Sequence, residues 1–187
     1  MTYYDKNTVK LSHEHMKHHL ETGNIVIDAT AGRGRDTLFL SELVGDMGHV
    51  YAFDIQEEAI SSTKALLEEH KRQNCTLILD SHVNMKEYVK NAKAVVFNLG
   101  FLPGGDHSIF SHGDTSIKAI EAALDIIDED GFVSVCVYHG GDTGFEERDT
   151  VLDYLEKLDQ KKYTVMLQSF HNRKGYPPLF VIIEKNR

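Results

Sequence analysis

The sequence predicts an α/β fold: a mostly parallel seven-stranded sheet, covered by helices on both faces, that ends in an antiparallel hairpin. Three observations predict it. Short apolar runs alternate with longer amphipathic stretches along nearly the whole chain, the mark of βαβ units. Only residues 170–178 separate the last two apolar runs, too few for a crossover helix, so those two strands pair antiparallel. No repeat, low-complexity tract or linker rich in Pro and Gly divides the 187 residues. A single domain over 1–187 is expected, with 1–22 as an N-terminal helical segment.

The elements follow in order. Residues 25–28 are a short buried strand and 36–44 the helix after it; 49–54 and 57–72 repeat the unit. A third strand, 75–80, leads into a short helical piece at 85–89, and the fourth strand is 92–98. Over 116–127 the apolar residues Ile117, Ile120, Ala123, Leu124 and Ile127 recur with a helical period. Residues 131–138 are the fifth strand and 145–158 a helix, and 163–169 and 179–184 close the chain as strands. Five βα units followed by a hairpin is the layout of the Rossmann-like class I methyltransferases, with a strand order of 3-2-1-4-5-7-6. Dehydrogenases normally continue with parallel units, so the ending favours methyl transfer over hydride transfer.

Composition narrows the class further. With 41% apolar and 26% charged residues, the chain is neither disordered nor fibrous. No apolar run approaches the roughly 20 residues that span a bilayer, and the first twenty residues lack the apolar stretch of a secretory leader. A cytoplasmic protein with no membrane partner is expected. Cys75 and Cys136 lie far apart inside apolar runs, as buried thiols of a reducing compartment do. The net charge of −9 excludes a broad electrostatic grip on nucleic acid. Its distribution is uneven, however. Residues 121–159 hold twelve acidic and two basic side chains, whereas 160–187 hold six basic and one acidic. A compact RNA footprint at the basic end stays open.

The first strand–helix turn runs Asp28-Ala-Thr-Ala-Gly-Arg-Gly-Arg-Asp-Thr37. Gly32 and Gly34 would let the backbone pass close to a ligand at a helix N-terminus; a plain tight turn is the alternative. A pyrophosphate loop has a third Gly where Thr37 stands, and Asp28 and Asp36 would repel a phosphate. Both carboxylates suit a ligand bearing an amino group, such as the methionine part of S-adenosylmethionine. Asp54 ends the second strand, where a carboxylate can accept from both ribose hydroxyls, with Gln56 in reach. Its alternative is a capping box on the next helix. Ser81 and His82 follow the third strand and would border the adenine; Ser81 equally suits a helix cap.

The fourth strand runs into Asn98-Leu-Gly-Phe-Leu-Pro-Gly-Gly-Asp106, which resembles the Asn/Asp-Pro-Pro-Tyr/Phe turn of methyltransferases that act on exocyclic amines. Leu99-Gly100 replaces Pro-Pro. Asn98 would position a nitrogen and Phe101 would pack on a planar substrate. Tyr138 and His139 end the fifth strand on the same rim, to take up a proton or line the pocket. Arg173 and Lys174 sit at the hairpin tip and suit phosphate contacts, or are solvated loop charges. His13, His15, His18 and His19 crowd the N-terminal segment, and His15 and His19 have an i,i+4 spacing that can hold a metal. No Cys or carboxylate pattern accompanies them, so no metal is expected. An amphipathic helix facing a partner or the substrate is expected instead.

Together these segments, with Val50-Tyr-Ala-Phe-Asp-Ile-Gln56, Ser81-His82 and Val137-Tyr-His-Gly140, resemble the "putative rRNA methylase" family of Firmicutes, which includes the tRNA 5-(aminomethyl)-2-thiouridine methyltransferase. The likeness covers nearly the whole chain. It implies that S-adenosylmethionine donates a methyl to the aminomethyl nitrogen of a wobble uridine in the tRNA anticodon stem-loop. By the same likeness Asp28, Gly32, Arg33, Gly34, Asp36, Thr37, Asp54, Gln56, Ser81 and His82 hold the cofactor. Asn98, Phe101, Tyr138 and His139 serve the reaction, and Gly104, Asp106, Arg173 and Lys174 hold the substrate. Family members commonly carry Asn and His, or Asn, where Arg33 and Arg35 stand. The rival readings are an rRNA or small-amine methyltransferase, a nicotinamide-dependent oxidoreductase and a silent cofactor-binding module. A homodimer stays open.

Overall fold

The computed structural model describes residues 7–99, 113–139 and 144–186. Helix α1 (Thr8–His19) precedes the sheet. The chain then alternates β1 (Ile25–Asp28), α2 (Arg35–Val44), β2 (His49–Asp54), α3 (Glu57–Glu69) and β3 (Cys75–Leu79). A 3-10 turn (His82–Asn84) and the one-turn α4 (Met85–Tyr88) lead to β4 (Ala92–Leu99). Next come α5 (Gly113–Ile126), β5 (Ile127–Val137), α6 (Gly144–Glu156), β6 (Tyr163–Gln168) and β7 (Leu179–Lys185). The sheet order is β3-β2-β1-β4-β5-β7-β6, as expected from the run of βα units and the closing hairpin. β7 inserts antiparallel between β5 and β6.

Differences from the sequence reading are local. α3 stops three residues early, where His70 leaves helical geometry and Lys71 takes φ +55°. β5 starts four residues early, at Ile127, which pairs with Ala92. A register shift and the left-handed Asp130 (φ +65°) follow before the regular ladder resumes at Phe132. Cys136 is buried, but Cys75 is only half-buried.

Alternating side chains along each strand feed two cores. Ile27, Phe53, Val95, Phe97, Val133 and Val135 face α5, α6 and the turn around Met85. Val26, Val50, Ala94, Val96, Phe132, Phe180 and Ile182 face Met16 of α1 and Leu40 and Val44 of α2. Phe53, Phe97, Phe132 and Phe180 are almost completely removed from water, each burial worth about 2–3 kcal/mol. α1 is anchored by polar bonds as well: Ser12 Oγ pairs with Ser134 Oγ at 2.9 Å, and Thr8 Oγ1 donates to the Pro178 carbonyl at 2.8 Å. Among the described residues no helix is long and apolar enough to cross a membrane. β1 and β4 run parallel, but the order of strand addition reverses between them, and such a switch point opens a crevice at the carboxyl ends of the strands. Every candidate residue in the described parts of the strand ends lies there or on the rim beside it.

Candidate active site

Asp28 closes β1 and is fully buried. Its oxygens accept from the Thr30 N–H at 3.1 Å and the Thr37 hydroxyl at 2.6 Å. Burial, and next the charge of Asp36, push its carboxyl up to about 7, against the pull of those two hydrogen bonds. Thr37 is itself buried with its hydroxyl on Asp28, so it orients that carboxylate.

The two glycines of the loop do different work. Gly32 (φ +54°) sends its N–H to Asp54 Oδ2 at 2.9 Å, folding the loop across the end of β2. Gly34 (φ +78°) starts α2, and a Cβ on it would lie 2.8 Å from the Thr63 Cα. Its bareness lets α2 pack against α3. Arg33 is exposed and reaches toward Glu58 of α3 at 3.8 Å.

Asp54 does not cap α3. Gln56 occupies the N-cap position without a side-chain bond, and its N–H donates to Asp54 Oδ1 at 3.0 Å. Each Asp54 oxygen thus has one donor and keeps a second acceptor position, enough for a vicinal diol. Ser81 takes the cap position of the 3-10 turn, its Oγ 3.4 Å from the Val83 N–H. His82 Nδ1 bonds the Ala29 carbonyl at 2.9 Å and its ring meets Phe97 edge-on. Burial holds this imidazole below the usual histidine range. Because a carbonyl only accepts, Nδ1 carries the proton and Nε2 faces outward as an acceptor. Asp80, beside them, gathers Tyr88, Asn84 and the Ser81 N–H, which together hold its carboxyl below the usual range.

The reacting end centres on Asn98. Its N–H donates to Thr30 Oγ1 at 2.8 Å, and its Nδ2 donates to Asp36 Oδ2 at 2.6 Å. The carboxylate can only accept, so it fixes the amide with Oδ1 turned the other way. That Oδ1 is buried and has no hydrogen-bond partner among the described residues, an arrangement that costs about 1–3 kcal/mol until a donor arrives. The second Asp36 oxygen contacts His13 Nε2 at 2.7 Å, and the His13 ring stacks on Phe39 at 3.9 Å. The sequence placed His13 only in a histidine-rich helix; nothing in the local pattern tells that it reaches Asp36, or that Thr30 steadies Asn98.

Tyr138 stands next to Asn98's strand, its N–H on the Leu99 carbonyl. Burial, and next Cys136 and Asp36, push its phenol up to about 12, which favours the protonated phenol as a hydrogen-bond donor. His139 lies on the wall of a cavity of about 460 Å³ between the end of β5 and the hairpin, with Phe170, Arg173, Lys174 and Tyr176. Arg173 lies 3.8 Å above the Phe170 ring, and Tyr176 meets Phe145 edge-on at 5.0 Å. Phe101, Gly104 and Asp106 lie outside the described residues.

Three carboxylates thus ring the first loop at the switch point. A pyrophosphate would be repelled there. The same carboxylates, with the free acceptor positions of Asp54, suit a ligand that carries a cationic amine and a diol. Fold and site together define the class of S-adenosylmethionine-dependent methyltransferases. Within that class the chain belongs to the family described as "Putative rRNA methylase", whose model matches residues 50–184. The crystal structure of a "putative rRNA-methylase" from Clostridium thermocellum superposes with a TM-score of 0.96 at 44% identity, covering 99% of this chain and 100% of that one. A "putative methyltransferase" from Streptococcus mutans, solved in complex with SAH, gives 0.88 at 40% identity, covering 96% and 98%. A chloroplastic tRNA (mnm(5)s(2)U34)-methyltransferase of Arabidopsis thaliana is 39% identical over 158 residues, 78% of this chain and 58% of that relative's length.

Proposed function

We propose that the protein methylates the aminomethyl nitrogen of 5-aminomethyl-2-thiouridine at the tRNA wobble position, giving 5-methylaminomethyl-2-thiouridine. The observation that carries this reading is the buried, unpartnered Asn98 Oδ1, an acceptor set for an amine N–H; the identity to the Arabidopsis relative supports the choice of substrate. S-adenosylmethionine, when bound, supplies an electrophilic methyl group on a sulfonium. Asp54 and Gln56 hold its ribose, His82 and Ser81 border its adenine, and Asp28, Asp36 and Gly32 face its methionine end. Arg33, on the outside of the loop, steadies it through Glu58.

A primary alkylamine is mostly protonated in water, near the Lys value of about 10.4, and only its neutral form has a lone pair to donate. Asn98 accepts an N–H without favouring the ammonium as a carboxylate would. Asp36, the nearest charge, already accepts a hydrogen bond at each oxygen, from Asn98 and with His13. Asn98, held at two points, aims the nitrogen for an in-line displacement. Tyr138 adds a phenol donor, and the sequence resemblance gives Phe101, Gly104 and Asp106 to the reaction and the substrate. The cavity at His139, Phe170 and Tyr176 is sized and lined for a splayed nucleobase, with Arg173 and Lys174 toward its phosphates.

The test is nucleoside analysis of tRNA after reaction with purified protein, using tRNA with and without the aminomethyl group. The methylaminomethyl product must appear only in the first. Asn98→Asp should lower kcat at neutral pH by about tenfold to a hundredfold. Unchanged nucleosides, or an Asn98→Asp enzyme as active as wild type across the pH range, would sink the reading.

A further inference from the structure

We propose that His15, His19 and Glu184 form a binding site for a divalent first-row transition metal where α1 meets β7. One ligand atom from each of the three lies within 4.8 Å of the others. His15 and His19 share a face of α1 by their i,i+4 spacing. The sheet brings the carboxylate from 165 residues further on, with Glu184 Oε1 3.9 Å from His15 Nε2.

Three features point to a ligand at this place. First, His15 Nε2 is buried without a hydrogen-bond partner among the described residues, and a buried polar atom left so calls for an ion or water. Second, the His15 ring packs edge-on to Phe132 at 4.9 Å, while its stack on His19 at 4.0 Å opens by side-chain rotation to let both rings reach one ion. Third, His19 Nδ1 bonds the His15 carbonyl at 2.8 Å. The carbonyl can only accept, so Nδ1 bears the hydrogen and Nε2 keeps its lone pair. A metal-bound histidine commonly shows this backbone bond on its other nitrogen.

Two imidazoles and one carboxylate suit Zn²⁺ and its neighbours, and three protein ligands leave a fourth position for water. Tetrahedral bonds of about 2.0–2.1 Å set donors about 3.4 Å apart, so side-chain rotation of an ångström or so closes the site. His19 is exposed and Glu184 half-buried, which leaves an entry from solvent over a floor formed by His15. Occupancy would tie α1, and with it His13, to the sheet.

Calorimetric titration of ZnCl₂ into the untagged full chain, with thermal melts alongside, tests this. The expected result is one equivalent bound and a raised Tm. His19→Ala and Glu184→Gln should each weaken binding at least tenfold and remove the Tm rise, while His18→Ala, beside the cluster but outside it, keeps both. Circular dichroism of the metal-free variants checks folding, and Glu184→Gln, on a half-buried polar side chain, decides alone if His19→Ala unfolds. Absence of binding, binding retained in Glu184→Gln, or an equal loss in His18→Ala overturns the proposal.

Discussion

Asp28 shows how one buried carboxyl can serve a cofactor site at the expense of the empty fold. Its folded pKa stands at about 7, against about 3.9 in an unfolded chain. A raised pKa contributes stability that is fully present below about pH 4 and is lost as pH rises through about 7. The ligand-free protein should therefore lose on the order of 2–4 kcal/mol from this group between pH 4 and 8. Asp28→Asn should remove that dependence and unfold at higher denaturant than wild type at pH 8. An unchanged pH profile by urea titration would contradict the assignment. Asn98 is the companion case: its unpaired oxygen is a local defect of the empty protein that a substrate N–H would repair.

At the scale of elements, α1 is the part whose function its own sequence conceals. Its polar bonds to Ser134 and Pro178 look like simple docking, yet the same face carries His13 onto Asp36, and Asp36 onto Asn98. α1 thus sets the orientation of a side chain in β4 from the far end of the chain. His13→Ala should lower kcat by about tenfold while moving KM for tRNA little, since it misaligns the amide without touching RNA. His13→Gln, which can still donate to Asp36, should recover part of the loss. An equal fall in KM and kcat for both variants would show a merely structural helix. α2 and α3 illustrate a different dependence, because their packing rests on Gly34 against Thr63.

For the molecule as a whole, the net charge of −9 and the basic hairpin tip bear on the proposed binding of tRNA. Arg173 and Lys174 are both exposed at one end of the sheet, so on that proposal about two or three phosphates would be neutralised rather than a long track. The logarithmic salt slope of tRNA affinity should then be about −2 to −3, and a slope near −8 in a filter or anisotropy assay would demand another basic surface. Much of this architecture was legible in the chain. The alternation of apolar runs and the nine residues between the last two strands fix the sheet and its hairpin, because period and connection length are local properties. The places of Asp54 and Asn98 at the ends of β2 and β4 were legible for a related reason, because the apolar runs mark where each strand stops. Other features were not. The early start of β5 depends on pairing with Ala92, the packing role of Gly34 on Thr63, and the reach of His13 on how α1 lies across the sheet. The sequence by itself determined the layers, the strand ends and the residue types offered there. Only the tertiary structure decided which donors meet which acceptors, joining His13 and Asn98 to Asp36 and bringing Glu184 near His15. Such pairs are set by packing between segments far apart in sequence, where no local pattern carries the information.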